Sequence, residues 1–163
     1  EPEMLTFEDG GMGYLTQDGC ENGGVAVTDK ADEVLQGGKS LKVTIKEDQT
    51  QKPLVCSDPQ VQSIPGYHTY RINFDWKILS LTQKNKDIGL DCFITLRPKS
   101  KLNDSTYQAG YVQIYGMAGD SASAVGEVTL NSSMEDYVLV LVNGDAGGGE
   151  LVLDNIQITE VNN

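Results

Sequence analysis

The residues best suited to chemistry in this sequence are rings and amides on alternating runs. In Gly110-Tyr111-Val112-Gln113-Ile114-Tyr115, Val112 and Ile114 alternate with Tyr111, Gln113 and Tyr115. In Asp91-Cys92-Phe93-Ile94-Thr95-Leu96-Arg97, Cys92, Ile94 and Leu96 alternate with Asp91, Phe93, Thr95 and Arg97. Successive residues of an extended strand point to opposite faces, so each run has one core face and one outward face. The outward faces carry Phe93, Arg97, Tyr111, Gln113 and Tyr115. The longest run, Tyr67 to Leu79, sets Tyr70, Ile72, Phe74, Trp76 and Ile78 on a core face and Arg71, Asn73, Asp75 and Lys77 on the other. Rings interleaved with amide, guanidinium and carboxylate groups on an open sheet face suit a sugar chain. The ring faces stack on the C–H side of a pyranose, and the polar groups bond its hydroxyls. Phe93, Arg97, Tyr111, Gln113, Tyr115, Asn73 and Asp75 are the candidate ligand-binding residues. Outward aromatics also stabilise strand pairs, and that role stands beside binding.

Catalytic chemistry is poorly served. The one histidine, His68, sits at the start of the longest run, and no Gly-x-Ser-x-Gly elbow accompanies it. No H-E-x-x-H, no His/Cys cluster and no phosphate-cradling glycine loop occurs. A pair of carboxylates would suffice for glycoside hydrolysis, but the 24 Asp and Glu concentrate in turns and none is set apart by apolar surroundings. The chain is therefore expected not to be an enzyme. Twelve Lys and Arg against those 24 acids give a net charge of −12. Nucleic acid and anionic lipid both need a basic footprint and are excluded. No stretch approaches the roughly 20 apolar residues of a membrane span. Cys20, Cys56 and Cys92 are odd in number, widely spaced and without a C-x-x-C. At most one disulfide forms within a chain, and Cys92, which shares a face with Ile94 and Leu96, is predicted to be a buried thiol.

The elements that position these residues are strands. At 39% apolar and 22% charged residues, the chain is no disordered acidic tail. Its 163 residues, 18 of them glycine, fall into short apolar runs punctuated by Gly, Asn, Asp and Ser. The runs are Met4–Phe7, Gly24–Thr28, Ser40–Ile45, Pro53–Cys56, Tyr67–Leu79, Leu90–Leu96, Tyr111–Tyr115, Gly126–Leu130, Tyr137–Val142 and Leu151–Thr159. About ten strands with turns between them predict a sandwich or barrel. Lys30–Gln36, between Asp29 and Gly37, is the one candidate helix, of at most two turns. Gly144–Gly149 reads as a flexible hairpin tip, and no linker divides residues 1–163.

Four segments in order carry a resemblance. Phe7-Glu8-Asp9-Gly10, Gly38-Lys39-Ser40-Leu41-Lys42-Val43, Pro65-Gly66-Tyr67-His68-Thr69-Tyr70 and Leu151-Val152-Leu153-Asp154-Asn155-Ile156-Gln157-Ile158 resemble the opening, G-x-x-S-L-x-V, P-G-x-x-Y and closing D-[DN]-[IV] segments of galactose-binding-like jelly rolls. The match is nearest the carbohydrate-binding modules of families 4, 16 and 22. The resemblance implies an all-β fold, a β-sandwich jelly roll of about ten antiparallel strands in two sheets, forming a single module over 1–163. It implies one structural calcium, held by the Glu8 and Asp154 side chains with the Thr6 and Lys39 carbonyls. Gln36 stands where some members have an acid, and Met134 stands at a packing position where the family commonly has tryptophan. The implied binding site is a cleft across one sheet, fitting the outward set Phe93, Arg97, Tyr111, Gln113 and Tyr115.

The expectation is a non-catalytic, monomeric module, extracellular or at the cell surface, without nucleic-acid partners or membrane insertion. It would tether the catalytic domain of the same parent chain, a secreted glycoside hydrolase, to plant cell-wall polysaccharide, with xylan first and β-glucan second. The alternative is a protein-interaction or adhesion module of a cell-surface protein on the same scaffold, and a small hydrolase stands third.

Overall fold

The computed structural model describes residues 3–20, 23–131 and 136–162. The described residues form ten strands: β1 (Leu15–Thr16), β2 (Gly23–Thr28), β3 (Ser40–Ile45), β4 (Pro53–Ser57), β5 (Thr69–Leu81), β6 (Leu90–Pro98), β7 (Tyr111–Gly116), β8 (Ser121–Thr129), β9 (Tyr137–Asn143) and β10 (Gly149–Val161). Single helical turns stand at Gln83–Asn85, Lys99–Lys101 and Ser105–Tyr107. The first sheet has the order β1-β4-β9-β6-β7 and the second β2-β3-β10-β5-β8. All pairings are antiparallel. The fold is a β-sandwich, as the strand count and the resemblance predict.

Alternation explains where the core lies. Leu41, Val43 and Ile45 from β3, Ile72, Phe74, Trp76 and Ile78 from β5, and Leu151, Leu153 and Ile158 from β10 face the first sheet. Opposite them stand Leu90, Cys92, Ile94 and Leu96 from β6, Val112 and Ile114 from β7, and Leu139 and Leu141 from β9. Trp76 and Cys92 are both core residues, as their phase predicts. The run Tyr137–Val142 shows no alternation because β9 is covered on both faces. Its odd-numbered residues join the main core, while Val138, Val140 and Val142 join a second cluster with Cys20, Cys56, Phe93 and Leu102. That second cluster lies on the outer face of the first sheet.

Four expectations change. Met4–Phe7 is not a strand: Leu5 makes one bridge to Ile156, and Phe7 then turns at a φ of 62°. The two-residue β1 takes its place in the count, too short to show any period. Lys30–Gln36 is a turn rather than a helix. The Glu33 and Val34 N–H groups both donate to the Lys30 carbonyl, and the Glu33 side chain is drawn to Thr28 and Lys42 instead of outward. Gly144–Gly149 is no hairpin tip, since β9 and β10 belong to different sheets. The segment is a crossover packed tightly against backbone. A Cβ on Gly148 would lie 2.1 Å from the Ile45 carbonyl oxygen, and one on Gly149, at a φ of 155°, 2.1 Å from that of Ser80. Only glycine fits there. β8 begins at Ser121, ahead of the apolar residues that mark it, and Met134 lies outside the described residues.

Trp76 fills the space between the sheets, so Trp76→Ala is expected to cost about 3–5 kcal/mol. Tyr111→Ala, on an open face, is expected to stay within about 0.5 kcal/mol of the parent. Urea unfolding of both variants checks the contrast, and equal stabilities would invert the assigned faces.

Candidate functional site

β6 and β7 pair in the register Asp91↔Tyr115, Phe93↔Gln113 and Thr95↔Tyr111. The register places all six side chains on the outer face of the first sheet, with rings and polar groups alternating across the two strands. The Phe93 and Tyr111 rings are tilted at 55° with centroids 5.4 Å apart. Tyr111 is 57% exposed and Phe93 only 8%. Phe93 is thus a floor and Tyr111 a free-standing wall. Gln113 donates through Nε2 to Asp91 Oδ1 at 3.2 Å, and the Tyr115 hydroxyl donates to the Ile88 carbonyl. Beside them opens a cleft of 250 Å³ lined by Gln51, Asp91, Phe93, Gln108, Tyr111, Gln113 and Gly144.

Gln51 and Gln108 escape a reading by strand alternation because both come from loops. Gln51 precedes β4 at a φ of 62°. Its N–H donates to the Asn143 carbonyl at 2.7 Å, which fixes it at the cleft. Gln108 follows the turn Ser105–Tyr107, whose start is capped by Asp104 accepting from the Thr106 N–H at 3.0 Å.

Arg97 lies on the outward side of β6 as predicted, yet it is fully buried and its donors are taken. Nη1 donates to the Leu102 carbonyl at 2.6 Å, and Nε and Nη2 donate to Gln108 Oε1 at 3.1 and 2.6 Å. The guanidinium stands 5.9 Å from the Phe93 ring centroid. Burial lowers its pKa from the ordinary value. Arg97 therefore positions segment 98–110 rather than meeting a ligand. Because Gln108 turns its oxygen to Arg97, its NH₂ is the end left to face the cleft.

Asn73 and Asp75 do not join this face. They project from β5, in the second sheet, whose outer face points away from the cleft. Asp75 accepts from Asn155 Nδ2 at 2.8 Å and from the Ser123 hydroxyl. Strand periodicity assigns a side to each residue but does not say to which sheet the strand belongs.

Of the implied metal residues, Thr6, Glu8 and Asp154 share one cavity, and Lys39 is not part of its lining. This cavity of 210 Å³ is lined by Thr6, Glu8, Gln36, Gly37, Asp154 and Asn155. The Glu8 carboxylate accepts from the N–H groups of Gly38 and Lys39 at 2.8 and 2.9 Å. Lys39 Nζ donates to the Glu8 carbonyl at 3.3 Å. Gly37 has a φ of 65°, and a Cβ there would come within 2.8 Å of the Glu8 carboxyl. Asp154 is 1% exposed, accepting from the Ser40 hydroxyl at 2.8 Å and the Asn155 N–H at 2.9 Å. Burial first, and the charge of Glu8 also, raise its pKa. So one acid is set apart by its surroundings after all, and its place inside the run Leu151–Ile158 was the available signal. Two carboxylates and the Gln36 amide are oxygen donors of the kind a hard divalent cation takes, so the set fits calcium in type. Among the described residues no group of three or more His, Cys, Asp or Glu is placed to hold a metal ion by itself.

His68 is half exposed, with Nδ1 3.3 Å from Glu160, and meets the Tyr70 ring edge-on. Among the described residues no helix is long and apolar enough to cross a membrane.

No protein-family model matches this chain, and no curated protein matches it in sequence. Solved structures match it in fold. The chain is similar to the CBM22-1 xylan-binding domain of Paenibacillus barcinonensis Xyn10C, with a TM-score of 0.68 and 18% identity over 100% of this chain and 96% of that one. It is similar to the CBM22-1 and GH10 modules of Clostridium thermocellum Xyn10B complexed with xylohexaose, at a TM-score of 0.63 and 13% identity, over 98% of this chain and 28% of that longer one. A family 16 carbohydrate-binding module matches at a TM-score of 0.55 and 20% identity, over 95% and 96% of the two chains. The shared property is the β-sandwich.

The role of Arg97 has a direct test. Arg97→Ala leaves the Leu102 carbonyl without its donor and is expected to cost about 2–3 kcal/mol and to open segment 98–110 to protease. Urea unfolding and limited proteolysis read both effects. An unchanged cleavage pattern would remove Arg97 from its positioning role.

Proposed function

We propose that the cleft beside β6 and β7 binds a β-glycan chain, xylan in the first place and β-glucan in the second. The observation that carries this reading is the exposed Tyr111 ring standing over the buried Phe93 ring, with Gln113, Gln51, Gln108 and Asp91 around it. A ring face for pyranose C–H groups and several amides for hydroxyls is what a neutral sugar polymer needs. Tyr115 extends the ring row along β7. The fold likeness to xylan-binding domains supports the same ligand class. Among the described residues lining the cleft Asp91 is the one carboxylate, where glycoside hydrolysis uses two, and in this reading the function is attachment. The module acts as a monomer outside the cell and holds a glycoside hydrolase domain of the same parent chain near its polymer, raising that domain's effective concentration.

The cavity between Thr6, Glu8, Gln36 and Asp154 takes a calcium ion in this reading, with the Glu8 and Asp154 carboxylates and the Thr6 carbonyl as ligands and the Gln36 amide oxygen in place of the Lys39 carbonyl, since Gln36 lines the cavity and Lys39 does not. The ion supplies charge neutralisation between two acids. It ties the residues before β1 to β10 in the second sheet, away from the cleft.

Native gels cast with soluble xylan, β-glucan or mannan test the binding. Retardation is expected with xylan, and Tyr111→Ala is expected to weaken it by about tenfold, the scale of one stacked ring at roughly 1 kcal/mol or more. No shift with any polysaccharide would overturn the reading and favour a protein partner.

Chelator tests the cation separately. Protein carrying bound calcium is expected to melt at a lower temperature once the ion is removed, because a ligand held only by the native state stabilises it by mass action. Xylan retardation is expected to persist. An unchanged melting curve would refute a stabilising ion.

A further inference from the structure

The two cysteines that spacing left unassigned, Cys20 and Cys56, meet in the structure. Their sulfurs are 3.3 Å apart across a separation of 36 residues. Cys56 lies in β4 opposite Thr16 of β1. Cys20 returns to it through a turn in which its N–H donates to the Gln17 carbonyl at 2.9 Å. Both are fully buried in the outer cluster with Phe93, Leu102, Val138, Val140 and Val142. Cys92 lies in the main core instead, with its sulfur 3.7 Å from Asn143 Oδ1.

We propose that Cys20 and Cys56 form a disulfide when the protein matures under oxidising conditions, while Cys92 stays a thiol. A disulfide bond is about 2.05 Å long, so the sulfurs need to close only about 1.3 Å from their 3.3 Å contact. Disulfides persist where the surroundings are oxidising, and the inference does not depend on what the cleft binds. Lys99 Nζ lies 3.6 Å from the Cys56 sulfur, anchored to the Asp18 carbonyl at 2.8 Å. In the native chain the hydrogen bond from Cys20 and the nearby ammonium lower the pKa of the Cys56 thiol, whereas that bond and burial raise that of Cys20. A thiolate is the attacking species in exchange.

The chemistry needs an external disulfide such as oxidised glutathione. The Cys56 thiolate attacks one of its sulfurs, the external S–S bond breaks, and one thiolate leaves. Cys20 then gives its proton to solvent and attacks the Cys56 sulfur, expelling the second external thiol. Two protein thiols are oxidised and one external disulfide is reduced to two thiols. Because both sulfurs are buried in the native chain, exchange takes place as the chain folds, and native contacts select the pair. The bond joins the segment after β1 to β4 beneath the turn at Lys99–Lys101, which belongs to the segment that walls the cleft.

The test is peptide mapping of the whole chain refolded in a glutathione redox buffer, then denatured and alkylated. The expected result is a linked Cys20–Cys56 peptide and alkylation of Cys92 alone. The oxidised protein is expected to melt about 10 °C above the same protein treated with reductant, since cross-linking restricts the unfolded chain. A double variant, Cys20→Ser with Cys56→Ser, is expected to melt at one temperature with or without reductant. Alkylation at all three cysteines, a link through Cys92, or an oxidised protein whose melting ignores reductant would overturn the proposal.

Discussion

The buried guanidinium of Arg97 decides what the outer face of the first sheet becomes. A cation without water needs fixed acceptors, and Arg97 finds them in the Leu102 carbonyl and the Gln108 amide. Both lie in the segment that follows β6, so satisfying the charge folds that segment back over the strand. Asp104, in the same segment, adds a favourable charge and caps the turn that leads to Gln108. The returning chain buries Leu102 against Val138, Val140 and Val142. What was an open sheet face becomes a second small core with a cleft at one end, and Phe93 belongs to both. The ring that a ligand would rest on is held by the same packing that stabilises the sheet, so the floor is rigid before anything binds.

The second sheet solves a different problem at Asp154. β10 carries a register shift between Asp154 and Gln157 against β5, with Asn155 at a φ of 52°. The bulge puts two successive side chains to use beside Asp75, Asp154 accepting from the Ser40 hydroxyl while Asn155 donates to Gln36 and Asp75. A bulge re-aims side chains in this way at the cost of one ladder position. Asp75 is therefore part of what steadies the bulge. The carboxylate pair Glu8 and Asp154 is brought together by elements from both ends of the described chain, with Gly37 leaving room for the Glu8 carboxyl.

Much of this was legible in the sequence, and the limits follow from what alternation encodes. β3, β5, β6 and β7 declare their core faces through a period of two, and Trp76, Cys92, Val112 and Ile114 lie where that period puts them. Alternation reports a side but not what covers it, so Arg97 reads as an outward donor while a loop closes over it. Nor does it report which sheet a strand joins, which is why Asn73 and Asp75 read with Tyr111 and stand apart from it. Gln51 and Gln108 come from loops with no period. The meeting of Cys20 and Cys56 is a long-range contact that depends on β1 pairing with β4, and β1 is two residues long. Gly144–Gly149 reads as loose by composition, whereas Gly148 and Gly149 are demanded by backbone passing close on both sides.

The place of β10 in the second sheet has a consequence for how this chain acquires its shape. Residues 149–161 form the central strand, with β3 on one side and β5 on the other. Until they arrive, that sheet is two separate ribbons, β2 with β3 and β5 with β8, and isolated two-stranded ribbons are at best marginal in water. The main core cannot close over its inner face, because Leu151, Leu153 and Ile158 are missing from the middle of it. Residues 149–161 are synthesised after the other nine strands, so the edges of β3 and β5 stay open until they emerge. The second sheet of this β-sandwich is thus completed by non-local pairing, and in the interval its open edges are free to pair with another chain.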